Sequence, residues 1–339
     1  MFPILVKKIK NLYSSSPTIQ RHTKTITSSP LYYQILKKFI TYQAKKDLEG
    51  PFNLLIETTN ICNAKCIMCP HRIMKRPQKV MSKKVFDQIV EKIKSESIPI
   101  NKIYLNGFGE PFADPHFLAR AQKLKKLNLF ISFYTNASLL TPQISQRLVK
   151  LKIDELNISF NAMTKKSYHQ IMGLNYDITI KNIDKLIKIR GQNPKPFIKI
   201  SSVINQFNQA DIKKHLDYWQ NKADLVTVTQ AHEWGGAVTN QSQHKFIKSN
   251  RTYPCRSLWH TFAIDVDGNF VLCCRDYESN YILGNITKNS FTDIKNSPLL
   301  KKIRHSHNTY QKSQLPSICQ KCNFPYQDGI EWLLSKSTT

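Results

Sequence analysis

Asn53-Leu-Leu-Ile-Glu-Thr-Thr-Asn-Ile-Cys62-Asn-Ala-Lys-Cys66-Ile-Met-Cys69-Pro70 reads as a short apolar strand that runs directly into a polar loop carrying three cysteines at x3 and x2 spacing. Three thiolates this close can hold three irons of a [4Fe–4S] cube, which leaves the fourth iron open to a small molecule. A zinc ion would want a fourth Cys or His. His71 is the nearest candidate, but it stands only two residues from Cys69, a strained spacing for a shared metal. The loop therefore reads as a cluster site fixed to the end of a strand.

From residue 53 to about 235 the chain alternates short apolar runs with amphipathic stretches. Strands are expected at 53–58, 102–106, 129–135, 154–160, 197–204 and 224–229, and helices near 82–96, 115–127, 141–151, 164–190 and 208–221. Strands separated by helices predict an α/β fold with a parallel sheet, open or curled into a partial barrel. Such sheets place their chemistry at the carboxyl ends of the strands. The rhythm breaks at about 236, where cysteines and turn residues accumulate; Asp265-Val-Asp-Gly-Asn269 reads as a hairpin turn. Three regions are expected: a basic amphipathic segment over 1–50, the strand–helix region over 51–235, and a small cysteine-rich, loop-rich region over 236–339.

Hydrophobic residues make up 41% of the 339, enough for a sizeable core, and argue against global disorder. Fifty Lys and Arg against 23 Asp and Glu give a net charge of +27, a field that favours an anionic partner. Phe2, Leu5, Val6, Ile9, Leu12 and Tyr13 share one helical face near Lys7, Lys8 and Lys10, and Tyr32, Ile35, Leu36 and Phe39 repeat the pattern. That composition fits helices packed on the barrel with solvated lysines, and it also fits peripheral contact with an acidic membrane face. No apolar run reaches the roughly 18 residues of a spanning helix, and the apolar start is too short for a signal peptide. A cytoplasmic protein is expected, and eight cysteines there point to metal rather than disulfides.

Cys62-Asn-Ala-Lys-Cys66-Ile-Met-Cys69-Pro resembles the signature of radical S-adenosylmethionine (SAM) enzymes, and the resemblance extends from about 53 to 325. It implies a partial (β/α)6 barrel in which SAM chelates the unique iron of a [4Fe–4S] cluster held by Cys62, Cys66 and Cys69. One electron from the cluster then yields methionine and a 5′-deoxyadenosyl radical. Met68 matches a position near adenine. Asn106-Gly107-Phe108-Gly109-Glu110-Pro resembles the "GGEP" segment after the second strand, with Phe108 in place of its first glycine. The resemblance gives the Gly107 and Gly109 backbone to the methionyl group and Glu110 to the SAM amine. Asn136 in Thr-Asn-Ala, Ser159 after the fourth strand and Asn205 after the fifth match further SAM-contacting positions.

Cys255-x12-Gly268-x4-Cys273 and Cys319-x2-Cys322 resemble the opening and close of the auxiliary-cluster module called SPASM, or twitch in its shorter form. The resemblance implies a second, fully ligated [4Fe–4S] cluster on these four thiolates; structural zinc on the same four remains the alternative. Cys274 is surplus and reads as packing. Trp234 and Trp259 read as core, and Asp276 and Arg304 as an ion pair. His232 and Glu233, at the mouth after the last barrel strand, are the candidate catalytic residues facing substrate.

The expected reaction is hydrogen abstraction followed by net oxidation of a sugar-like or lipid-linked molecule, with an external reducing electron donor. The substrate is expected to be a small molecule, lipid-linked or a peptide, and anionic. Peptide maturation is the alternative, against which the short 1–50 segment tilts the reading. The rival from another class is a non-catalytic Fe–S or zinc protein that binds nucleic acid; no zinc-finger or RNA-binding motif supports it.

Overall fold

The computed structural model describes residues 38, 42, 48–238, 254–309 and 311–322. The amphipathic stretches of the first 46 residues lie outside the described residues, apart from Lys38 and Tyr42. In chain order come β1 (Phe52–Ile56), α1 (Lys83–Ser95), β2 (Ile100–Tyr104), α2 (Phe117–Lys125), β3 (Ile131–Thr135), α3 (Pro142–Lys150) and β4 (Glu155–Ser159). They are followed by α4 (Lys165–Met172), α5 (Tyr176–Arg190), β5 (Phe197–Ile204), α6 (Ile212–Trp219) and β6 (Leu225–Gln230). Beyond them lie α7 (Ser257–His260), β7 (Thr261–Ile264), β8 (Asn269–Val271), β9 (Ile282–Asn285), α8 (Phe291–Asn296), α9 (Pro298–Thr309) and α10 (Ser317–Lys321).

Local sequence accounts for the helix boundaries. Ser82, Thr141 and Asn175 N-cap α1, α3 and α5, each side-chain oxygen accepting from the N–H three residues on. The stretch expected as one helix over 164–190 is two. Gly173 adopts φ +67°, ends α4, and donates its N–H to His169 O, after which Asn175 starts α5.

The strands form one nine-stranded sheet in the order β6-β5-β4-β3-β2-β1-β7-β8-β9. β1 to β6 pair in parallel, the (β/α)6 arrangement expected of a partial barrel. β7 adds in parallel to the other side of β1, with Leu54 opposite Phe262 and Ile56 opposite Ile264. β8 and β9 continue antiparallel from it. The cysteine-rich region therefore begins on the main sheet itself. Its hairpin turns where expected: Asp265 Oδ1 accepts from the N–H groups of Asp267 and Asn269.

Alternation along the parallel strands decides what each face does. Leu54, Ile56, Ile103, Ile131, Phe133, Leu156, Ile158, Ile198 and Ile200 point to one face, at most 1% exposed, and pack under the helices. Buried apolar side chains of this size each contribute about 1.5–3 kcal/mol. The opposite face carries Lys102, Tyr104, Ser132, Tyr134, Glu155, Asn157, Lys199 and Ser201, a polar lining rather than a second core.

Candidate active site

The loop after β1 is docked from two sides. Lys65 N–H and Ile67 N–H donate to Met172 O (2.9 Å) and Ile171 O (3.0 Å), the unsatisfied carbonyls at the end of α4. Asn63 Oδ1 accepts from Asn136 Nδ2 at 3.0 Å, and Asn63 Nδ2 donates to Ser138 Oγ at 2.8 Å. Cys62, Cys66 and Cys69 lie on this loop, partly buried. Burial, and then Glu110, push Cys62 up to about 11; burial, and then the neighbouring thiols, raise Cys66 well above its ordinary value, and burial also raises Cys69. Thiols so placed ionise only against a cation, which is what metal ligation supplies.

Glu110 sits beneath them, 2% exposed. Its Oε1 accepts from Thr135 Oγ1 (2.6 Å) and its Oε2 from Asn136 N–H (2.8 Å). Burial outweighs these bonds and raises its carboxyl to about 7. The glycines before it are dictated by close approach. A Cβ on Gly109 would lie 2.3 Å from Thr59 O, and one on Gly107 would lie 2.3 Å from Glu57 Cγ. Only bare Cα positions let the β2 loop lie against the exit of β1.

The other expected residues divide into those that face the site and those that build it. Ser159 ends β4, half-buried, paired in register with Ser201. Met68 is buried, and its carbonyl accepts from Trp234 Nε1 at 2.8 Å. Asn136 spends its amide on Asn63 and Ser138, so its side chain fastens the cysteine loop. Asn205 spends its amide on its own turn, accepting from Phe207 N–H and donating to Val203 O. His232 and Glu233 follow β6. The His232 ring lies 3.5 Å from Arg275 Nη2, and burial, then this cation, lowers its pKa to about 4.

Four thiols gather at the other end. Cys255, Cys273, Cys319 and Cys322 line one cavity of ≈ 430 Å³, open mouth included, with Arg275 and His307. Burial pushes Cys255 up to about 11 and raises Cys273 and Cys319, and the thiols of the set raise one another. Among the described residues no three Cys, His, Asp or Glu side chains converge tightly enough for one metal ion. A cube takes each thiolate at a different iron and so allows a wider spread than zinc. Trp259 is buried as expected, whereas Trp234 is half-exposed. The expected Asp276–Arg304 pair is not formed. Arg304 donates to Leu258 O and Lys295 O, and both Asp276 oxygens accept backbone N–H groups, from Asn280 and Tyr281.

One element was not foreseen. Glu57, the first residue past β1, is 2% exposed and takes a bidentate ion pair from Arg76 at 3.0 and 3.1 Å. It also accepts from Phe108 N–H of the β2 loop and from Val266 N–H of the β7–β8 turn. Arg76 Nε donates to Tyr277 O at 2.7 Å. Phe108 packs edge-on against Trp234 and Tyr277, at 5.6 and 6.2 Å between centroids. The residue standing where the resemblance has glycine thus ties the β2 loop to the cysteine-rich region. The only sequence signal was an acid ending an otherwise apolar strand.

The model of the radical SAM superfamily matches residues 56–218, and that of the SPASM iron–sulfur cluster-binding domain matches 255–323. The chain is 27% identical over 172 residues to the tungsten-containing aldehyde ferredoxin oxidoreductase cofactor-modifying protein of Pyrococcus furiosus, covering 50% of this chain and 48% of that one. It is 25% identical over 203 residues to a probable GTP 3′,8-cyclase of Saccharolobus islandicus, covering 59% and 64%. It thus spans about half to two-thirds of the length of these relatives. Among solved structures, Streptococcus suis SuiB bound to the precursor peptide SuiA superposes with a TM-score of 0.64 at 17% identity, over 79% of this chain and 70% of that one. BtrN in complex with AdoMet and 2-DOIA gives 0.55 at 18%, over 80% and 92%. At these identities the likeness is one of fold. The two matched domains bring a [4Fe–4S] cluster with SAM and auxiliary iron–sulfur, and the two thiol sets supply a fitting donor chemistry for both.

Proposed function

In a chain of the radical SAM superfamily that also carries a SPASM iron–sulfur cluster-binding domain, we propose reductive cleavage of SAM above Glu110, followed by hydrogen abstraction and net oxidation of a sugar-like or lipid-linked substrate. The observation that carries the reading is the fully buried Glu110 carboxylate set directly against the loop of Cys62, Cys66 and Cys69. Those three thiols would hold one cluster, and Cys255, Cys273, Cys319 and Cys322 an auxiliary one. When bound, the clusters supply the electron that cleaves the sulfonium and take up the electron left on the substrate.

The chain's own groups do the rest. Glu110 accepts from the SAM amine while Thr135 and Asn136 hold its two oxygens in place. The Gly107–Gly109 backbone lies alongside the methionyl group, Met68 packs near adenine, and Ser159 and Asn205 bound the remaining SAM edge. A dehydrogenation needs a base at the substrate hydroxyl. His232, held neutral by burial and by Arg275, is the first candidate for its place after β6, and Glu233 beside it is the second. A relative named for GTP, a phosphorylated ribonucleoside, supports a small anionic substrate. An external reductant must charge the first cluster.

The test is anaerobic reconstitution and reduction with SAM present. The expected products are 5′-deoxyadenosine and methionine, formed slowly without substrate and not at all by Cys66→Ala. S-adenosylhomocysteine as the main product would indicate methyl transfer and overturn the reading.

A further inference from the structure

The polar face of the sheet holds a group of side chains that neither cluster site uses. Lys102 on β2 and Glu155 on β4 form an ion pair at 3.2 Å. Glu155 Oε1 also accepts from Ser132 Oγ and Asn157 Nδ2, both at 2.9 Å. That carboxylate is therefore fully committed. Lys199 on β5 stands beside it, in register with Asn157 on one side and Leu225 on the other, and forms no hydrogen bond or ion pair among the described residues. Two ammonium groups and one carboxylate leave this wall one positive charge in excess, in a half-buried setting where water screens it poorly.

Unanswered acceptors lie on the strands either side of β5 and beyond the end of β2. Asn157 directs its Nδ2 at Glu155, which turns its Oδ1 away from the network, and that oxygen is buried without a partner. Thr227 Oγ1 on β6, opposite Ser201, and Asn106 Oδ1 at the end of β2 are buried and unpartnered as well. Buried polar atoms left unpaired cost stability, so three on one face mark a place where a ligand or water completes them. Meanwhile Phe130, Tyr134, Phe197 and Leu225 expose 39–43% of their surface on the same face. A sheet face with exposed rings, spare acceptors and a cation unpaired among the described residues fits a bound molecule better than a packed core.

We propose that this face is the substrate wall, with Lys199 the residue that takes the anionic oxygen group, phosphate or carboxylate, of a hydroxyl-bearing substrate. Asn157 Oδ1 and Asn106 Oδ1 accept from the hydroxyls of that substrate, Thr227 Oγ1 donates or accepts, and the Lys102–Glu155 pair holds the wall in place. The assignment rests on the proposed SAM chemistry for its meaning as a substrate site, but its binding can be measured without turnover.

The experiment uses anaerobically reconstituted protein with SAM and follows binding by calorimetry of three probes: glycerol 3-phosphate, glycerate and glycerol. At least one anion should bind, with glycerol at least ten-fold weaker, and the better anion identifies phosphate or carboxylate as the group recognised. Lys199→Gln should weaken that anion at least ten-fold, Lys199→Arg should restore most of the binding, and the exposed Lys166→Gln should leave it unchanged. Equal binding by wild type and Lys199→Gln, or no binding of either anion, overturns the proposal. Formation of 5′-deoxyadenosine is read in the same samples. If it persists while Lys199→Gln loses the anion, the subsite stands apart from the cluster chemistry. If wild type binds the anion but forms no 5′-deoxyadenosine, the SAM reading fails and the anion site remains.

Discussion

Replacing Arg76 by Met tests the unforeseen strut between the two halves of the molecule. The substitution keeps an apolar stem of similar reach but removes both hydrogen bonds to the Glu57 carboxylate, which is 2% exposed. A buried charge stripped of its partner costs about 3–5 kcal/mol, well beyond the median surface pair. The bond from Arg76 Nε to Tyr277 O adds about 1 kcal/mol. Glu57 still accepts from Phe108 and Val266 N–H groups, which keeps the loss near the lower end, so the expected total is about 4 kcal/mol. The assay is anaerobic guanidinium unfolding of reconstituted protein, read by tryptophan fluorescence, for wild type, Arg76→Met, Glu57→Gln and the double variant. If the damage comes from the stranded carboxylate, the double variant should regain about 2–3 kcal/mol over Arg76→Met alone. A loss under about 1 kcal/mol in Arg76→Met, or two losses that simply add, would refute the reasoning.

Four further outcomes are expected. Wild-type protein should hold about eight irons, and the triple replacement of Cys62, Cys66 and Cys69 by Ala about four, by iron assay; four irons plus zinc in the wild type would remove the auxiliary cluster. Glu110 has a folded-state pKa near 7 against an ordinary 4.5. Its contribution is therefore present below 4.5 and lost as pH rises through 7, so Glu110→Gln should gain about 2.5 kcal/mol on wild type between pH 5 and pH 8 without SAM, by unfolding midpoints. His215, His232 and His307, held neutral with pKa values near 4, act in the opposite sense and cancel in that difference. Gly109→Ala has no room beside Thr59 O and should lose about 1–3 kcal/mol together with iron from the first site, by the same assays. Trp234→Phe keeps the ring but strands Met68 O, at a cost of about 1–2 kcal/mol measured by unfolding.

The alternation of apolar runs with amphipathic stretches located all six parallel strands to within two residues, because burial on one face imposes a period the chain cannot hide. The gathering of Cys255, Cys273, Cys319 and Cys322 round one cavity was also legible, from the turn between the first two and the close spacing of the last two. Less legible were features that depend on distant partners. Nothing in Thr261-Phe-Ala-Ile264 announces that it pairs with β1 rather than forming a separate layer. Arg76 and Glu57 are 19 residues apart with no periodicity linking them. Asn136 and Asn205 matched by pattern, yet their amides build loops, because a strand-end asparagine serves backbone turns as readily as a ligand. The break at Gly173 was there to be read, with Asn175 two residues on, but a continuous apolar stripe masked it.

The parallel bond between β1 and β7 makes the two cysteine regions inseparable in a practical sense. Cutting the chain after residue 238 would not release a smaller, self-contained barrel. It would turn β1, the strand that delivers the cysteine loop, into a raw sheet border with its N–H and C=O groups open to any passing chain. It would also uncover Phe52, whose ring meets that of Phe262 across that seam at 5.1 Å. Loss of the auxiliary region by simple truncation would therefore leave the sheet of this chain with an open edge at β1. A shortened descendant would need a substitute strand before it could keep the cluster loop in place.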